Sequence, residues 1–133
     1  MKGNRFLIDT SVWIDYFKGQ DHPFLEKVDE ILTYHSVYVP KVVIAELIQG
    51  AKSEKEISVI ESFVEAFTII DQTDNTWLKA GRLSFSLKKK GLTVNLVDCY
   101  IAALAVDHDC TIFSLDEHFQ LIGRVIKIAL IGR

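Results

Sequence analysis

Short apolar runs recur along this chain, separated by stretches with helical periodicity, and no other feature restricts the fold as strongly. Phe6-Leu7-Ile8 is wholly apolar and stops at Asp9-Thr10-Ser11, residues that favour helix starts. Val37-Tyr38-Val39 repeats the pattern, with Pro40 suited to the first turn of a following helix. Thr68-Ile69-Ile70 and Thr111-Ile112-Phe113 look the same. Runs this short and this apolar fit strands buried on both faces, as in a parallel sheet. Val125-Ile126-Lys127-Ile128 alternates less cleanly and reads as an edge strand.

Helical stretches fill the gaps. Val12–Lys18 is short and very apolar, and Pro23–Tyr34 carries Phe24, Val28, Ile31 and Leu32 at helical spacing. Lys41–Ala51, Glu54–Phe67, Trp77–Lys89 and Val97–Asp107 follow. Strands alternating with helices predict an α/β sandwich around a mainly parallel central sheet. In such sheets ligands bind outside the carboxyl ends of the strands, so acids that directly follow strands are the first candidates for chemistry.

At 133 residues the chain is expected to form a single domain, 1–133, with no internal repeat or linker. Hydrophobic residues make up 49%, which excludes disorder. Two cysteines, Cys99 and Cys110, form no CxxC pair, so a reducing cytoplasmic compartment is expected rather than a disulfide scaffold. No apolar stretch approaches the roughly 20 residues of a membrane span, and MKGNRFLIDT lacks the features of a signal peptide, so no membrane association is expected. The net charge of −3 argues against holding nucleic acid by bulk charge, though not against reaching it through a bound metal.

Four acids stand out. Asp9 follows the first strand, Glu46 interrupts Val42-Val43-Ile44-Ala45-Glu46-Leu47-Ile48, Asp98 opens a helix, and Asp116 lies three residues past Phe113. Each has an ordinary structural explanation. Asp9 and Asp116 could be helix caps, Asn95 and Asp98 could close a capping pair, and Glu46 could share a solvated face with Gln49 and Gly50. If instead the four converge in one cleft, their mutual repulsion raises at least one pKa unless a cation is present, and an all-carboxylate site suits Mg²⁺ or Mn²⁺. His22, His35, His108 and His118 are scattered without zinc spacing and read as surface residues.

Four segments, in order along the chain, resemble the PIN-domain ribonucleases, and among them the VapC toxins of toxin–antitoxin pairs. These are Phe6-Leu7-Ile8-Asp9-Thr10-Ser11-Val12-Trp13-Ile14, Val43-Ile44-Ala45-Glu46-Leu47, Asn95-Leu96-Val97-Asp98-Cys99-Tyr100-Ile101-Ala102-Ala103, and Ile112-Phe113-Ser114-Leu115-Asp116-Glu117-His118-Phe119. The resemblance implies a three-layer α/β/α sandwich, hydrolysis of RNA with Mg²⁺ or Mn²⁺, a homodimer, and a VapB-type antitoxin that blocks the site. It carries the catalytic and metal-binding roles onto Asp9, Glu46, Asp98 and Asp116, and a supporting role onto Ser11. Cys99 receives no role.

On that reading Asp9 and Asp98 are the main ligands. Glu46 binds the metal or orients its water, Asp116 holds a second or outer-shell metal, and Ser11 bonds a water or a phosphate oxygen. Setting the four acids aside leaves 14 acidic against 15 basic residues, enough for a basic rim. Lys88, Lys89 and Lys90, with Arg82 on the same helix, are the candidate RNA contacts; a solvated helix C-terminus, where the dipole favours Lys, is the more ordinary explanation of the lysines. Val12, Trp13, Ile14, Tyr16 and Phe17 crowd one short helix, either wedged between layers or forming a surface for a second copy or an antitoxin helix. Two other readings stand beside this one: a PIN-like interaction module without catalysis, and a phosphotransfer protein of receiver or dehalogenase type. The dehalogenase version wants a DxD where this chain has Asp9-Thr10-Ser11, and the receiver version wants an acidic pair near the N-terminus, where only Asp9 stands, with Asp71 after a later strand.

Overall fold

A computed structural model describes residues 3–19 and 23–132. Five strands, β1 (Arg5–Ile8), β2 (Ser36–Pro40), β3 (Thr68–Ile70), β4 (Thr111–Phe113) and β5 (Ala129–Ile131), make one sheet in the order β3-β2-β1-β4-β5. Every neighbouring pair is parallel. The helices are α1 (Thr10–Phe17), α2 (Leu25–Tyr34), α3 (Lys41–Gln49), α4 (Glu54–Val64), α5 (Thr76–Lys89), α6 (Leu96–Asp107) and α7 (His118–Ile122).

Handedness distributes the helices. From β1 to β3 the chain steps one way across the sheet and inserts α1–α4; from β3 to β5 it steps back and inserts α5–α7. Right-handed crossovers running in opposite directions put the two groups on opposite faces, giving the expected three-layer α/β/α sandwich. Packing follows this division: α1 lies against α2 and α3, α3 against α4, and α6 against α5 and α7. The central strands are buried on both sides, with Leu7, Ile8 and Ile112 fully enclosed. Every residue from Asp98 to Ala105 of α6 is buried, as a helix apolar all round requires.

The expected edge strand at Val125–Ile128 is displaced. Val125, Ile126 and Ile128 pack against the core from an irregular segment, and the strand forms at Ala129–Ile131, where Thr111 pairs with Ala129 and Phe113 with Ile131. Pro40 ends β2 rather than entering α3, and α3 and α4 stop at Gln49 and Val64, a few residues early. Asp71 follows β3 at the sheet edge and is exposed, its carboxylate 3.1 Å from the Lys41 ammonium, so it does not stand after a central strand as the receiver reading requires.

Connections leave β1 and β4 in opposite directions although these strands are neighbours. The crevice at their carboxyl ends is the topological switch point, where open α/β sheets bind ligands.

Candidate active site

Register assembles the first half of the site. Ile8 pairs with Phe113, so Asp9 and Ser114 are the next residues out of two adjacent strands. The Asp9 amide donates to the Phe113 carbonyl at 2.9 Å. Asp9 Oδ2 accepts hydrogen bonds from Ser11 Oγ and Ser114 Oγ, both at 2.9 Å. Although Asp9 occupies the N-cap position of α1, it makes no capping hydrogen bond there, so the cap explanation does not account for it. Its carboxylate is buried, and burial raises its pKa above the ordinary aspartate value despite the two hydroxyls.

Asp98 enters from the first turn of α6. Asn95 Oδ1 accepts from the Asp98 amide, and Asn95 Nδ2 donates to Asp98 Oδ2, each at 2.9 Å, so the capping pair read from the sequence is present. The cap accounts for the backbone of Asp98 and not for its charge. Burial raises the Asp98 pKa, and the carboxylates of Asp9 and Asp116 push it further in the same direction. Asp116 sits in the loop after β4, its amide donating to Ser114 Oγ and its Oδ1 accepting from the His118 amide. Glu46 is half-buried on α3 and reaches this edge through Thr10, whose hydroxyl donates to Glu46 Oε1 at 2.8 Å.

His118 is not a simple surface residue. Its Nδ1 lies 2.9 Å from Asp98 Oδ2 and 3.3 Å from Asp116 Oδ1, and the bond to Asp98 raises its pKa. His35 and His108 are also half-buried; His35 Nδ1 accepts from the Asn4 amide and His108 Nδ1 lies 2.9 Å from the Leu104 carbonyl. His22 lies outside the described residues.

Donor atoms of Asp98, Asp116 and His118 lie within 4.8 Å of one another. Among the described residues no Lys or Arg forms an ion pair with Asp9, Asp98 or Asp116. Crowded carboxylates, with the pKa values of Asp9 and Asp98 raised and no basic partner beyond one imidazole, fit a hard divalent cation. Ser11 is fully engaged: its one proton goes to Asp9, and its oxygen accepts from the Leu115 amide at 3.1 Å, so it offers a phosphate oxygen no donor.

A family model for the PIN domain matches residues 6–125. The chain belongs to the PIN domain family. Among curated relatives, ribonuclease VapC11 of Mycobacterium tuberculosis is 26% identical over 126 residues, covering 92% of this PIN chain and 94% of its own length. Ribonuclease VapC1 of Methanocaldococcus jannaschii is 26% identical over 118 residues, covering 88% and 80%. Among solved structures, VapBC2 from Rickettsia felis bound to a promoter DNA fragment superposes with a TM-score of 0.81 at 20% identity, over 97% of this chain and 98% of that one.

Sequence reasoning missed Thr10, Ser114 and His118. Ser114 had a readable signal, since it follows β4 as Asp9 follows β1. His118 had only its spacing from Asp116. The candidate basic residues are divided by the fold. Lys88, Lys89 and Lys90 are exposed at the end of α5, joined by a short loop to the N-terminus of α6 and hence to the Asp98 end of the sheet. Arg82 instead lines a cavity of ≈ 530 Å³ with Lys79, Asp107 and Lys127, towards the opposite end of α6. Both thiols are buried: burial raises both, Cys110 to about 11, and the adjacent Asp98 carboxylate raises Cys99 further. Among the described residues no helix is long and apolar enough to cross a membrane.

Proposed function

We propose that this PIN domain is a metal-dependent endoribonuclease, the toxin of a VapBC-type toxin–antitoxin pair, with Asp9, Asp98, Asp116 and Glu46 as its catalytic carboxylates. The observation that carries the reading is Asp9, a buried carboxylate at the switch point that accepts from the Ser11 and Ser114 hydroxyls and, among the described residues, has no cationic partner. A structural role does not call for a desolvated, unpaired charge there. The relatives named as VapC ribonucleases support the reaction, and the neighbours solved as VapBC complexes support the partner.

Asp9, Asp98 and Asp116 would hold Mg²⁺ or Mn²⁺, with Glu46 as a further ligand or as the group that orients a water. When bound, such a cation relieves charge on the scissile phosphate and lowers the pKa of a water. The protein supplies alignment: Ser11 and Ser114 fix Asp9, Asn95 and His118 fix Asp98, and Thr10 fixes Glu46. Glu46, half-exposed and tethered by one oxygen, is the carboxylate suited to accept a proton from the attacking water.

Purified protein given single-stranded RNA is expected to cleave it with Mn²⁺ or Mg²⁺ and not with EDTA. Folded protein that binds neither ion and cleaves nothing would favour the interaction-module reading. We also assign the Lys88–Lys90 cluster to RNA phosphates, with Arg82 as the outlying member. Changing all three lysines to Ala should flatten the log–log salt dependence of RNA affinity, by about 0.7 for each phosphate that is no longer neutralised. An unchanged slope would clear the cluster of any role. The homodimer and a cytoplasmic setting belong to the same proposal. The exposed part of the Ile14–Phe17 surface and two buried free thiols support them, and light scattering should return twice the 15.1 kDa chain mass.

A further inference from the structure

A cleft of ≈ 560 Å³ opens beside Asp116, between the loop that follows β4, the start of α7 and the end of β5. Its volume lies in the roughly 300–1,000 Å³ range of small-ligand sites. Its walls are of two kinds. Leu115, Leu130 and Ile131 are half-buried aliphatic surfaces, while Glu117 and Gln120 are exposed polar side chains at the start of α7. Gly132 completes the wall where β5 meets β4, and a Cβ at this position would run into the Ser114 carbonyl oxygen. The strand end can therefore close on Ser114 only with glycine here.

A flat apolar wall facing polar groups is how proteins seat an unstacked base: the faces of the ring take the aliphatic surface and its edge takes the hydrogen bonds. We propose that this cleft is a nucleobase subsite that selects the nucleotide flanking the scissile bond. It rests on the ribonuclease reading, because Asp116 belongs both to the cleft and to the carboxylate cluster. The lining also fixes the class of base. The Glu117 carboxylate only accepts hydrogen bonds, and the Gln120 amide can turn its oxygen inward. Guanine, whose N1–H and 2-amino group are adjacent donors, satisfies both acceptors of such a lining. Uracil offers a single N3–H donor between two carbonyl oxygens, so it sets a carbonyl against one of the two acceptors.

The test is cleavage of a pool of single-stranded oligoribonucleotides of random sequence, with Mn²⁺, followed by sequencing of the product ends. The wild type is expected to disfavour uracil at one position beside the cut. Glu117→Gln, which exchanges an acceptor for a group that can also donate, should weaken that discrimination about tenfold, and Gln120→Ala should flatten it. Total cleavage should persist in both, because neither residue is among the carboxylates of the cluster. A wild-type profile without base preference, or an unchanged preference in both folded variants, would overturn the subsite. Absence of any metal-dependent cleavage by the wild type would instead overturn the ribonuclease reading itself.

Discussion

Asp9→Asn is expected to abolish cleavage while making the metal-free protein more stable. Asparagine keeps an oxygen for the Ser11 and Ser114 hydroxyls, so the geometry at the end of β1 should survive. What it removes is a buried charge. Burial raises the folded-state pKa of Asp9 above its unfolded value. The stability from such a group is fully present below the unfolded pKa and is lost as pH rises through the folded one. At neutral pH an ionised Asp9 therefore destabilises the metal-free fold, and neutralising it should raise Tm in EDTA. A saturating divalent ion reverses the order: at 100 times its Kd, an ion bound only by the folded state adds about 2.7 kcal/mol. The wild type should gain that increment and the variant little of it, so their melting curves should cross between EDTA and Mn²⁺. Activity should fall by about 10²–10³-fold or more, the scale seen when one preorganised charge-stabilising group is removed. A folded Asp9→Asn protein that cleaves RNA like the wild type would falsify the assignment.

The same residue shows why part of the site was legible in the sequence. β1–β4 announce themselves as short apolar runs, because a parallel strand buried on both faces has no polar side to alternate with. An acid placed directly after such a run has nowhere to go but the carboxyl edge of the sheet. Asp9 and Asp116 could thus be placed without coordinates, and Asp98 through its helix start. Glu46 was singled out by its apolar surroundings, but its tether to Thr10 depends on how α3 packs on α1. His118 was unreadable for a different reason. Its link to Asp98 spans 20 residues and exists only because α7 docks against α6. The edge strand was misplaced because Val125–Ile128 and Ala129–Ile131 are both apolar. Only pairing with β4 decides between them, and pairing is a long-range property.

Trp13→Ala should produce the largest loss of stability of any single substitution in α1, and through α1 it should reach the active site. The indole is about 1% exposed and sits among aromatic rings. Phe63 meets it edge-on at 5.3 Å and Phe67 tilted at 5.7 Å, while Tyr16 and Phe17 lie at 5.9 and 6.0 Å. Truncation leaves a cavity between α1 and α4, where a buried Trp to Ala change costs about 3–5 kcal/mol. For a chain of this size that lowers Tm by roughly 10–20 °C. Trp13→Phe separates ring packing from the polar atom. The indole Nε1 is buried with no hydrogen-bond partner among the described residues, a condition that costs about 1–3 kcal/mol in its own right. Phenylalanine keeps much of the ring packing and discards that donor, so it should cost less than half as much as Ala. Equal losses for Phe and Ala would mean that the Nε1 proton has a partner in solution. The consequence for chemistry follows from position: α1 begins with Thr10 and Ser11, which hold Glu46 and Asp9, and Trp13 anchors that first turn against α4. Trp13→Ala should therefore reduce cleavage at temperatures well below its own melting point, where the fold persists but the first turn of α1 has lost its seat.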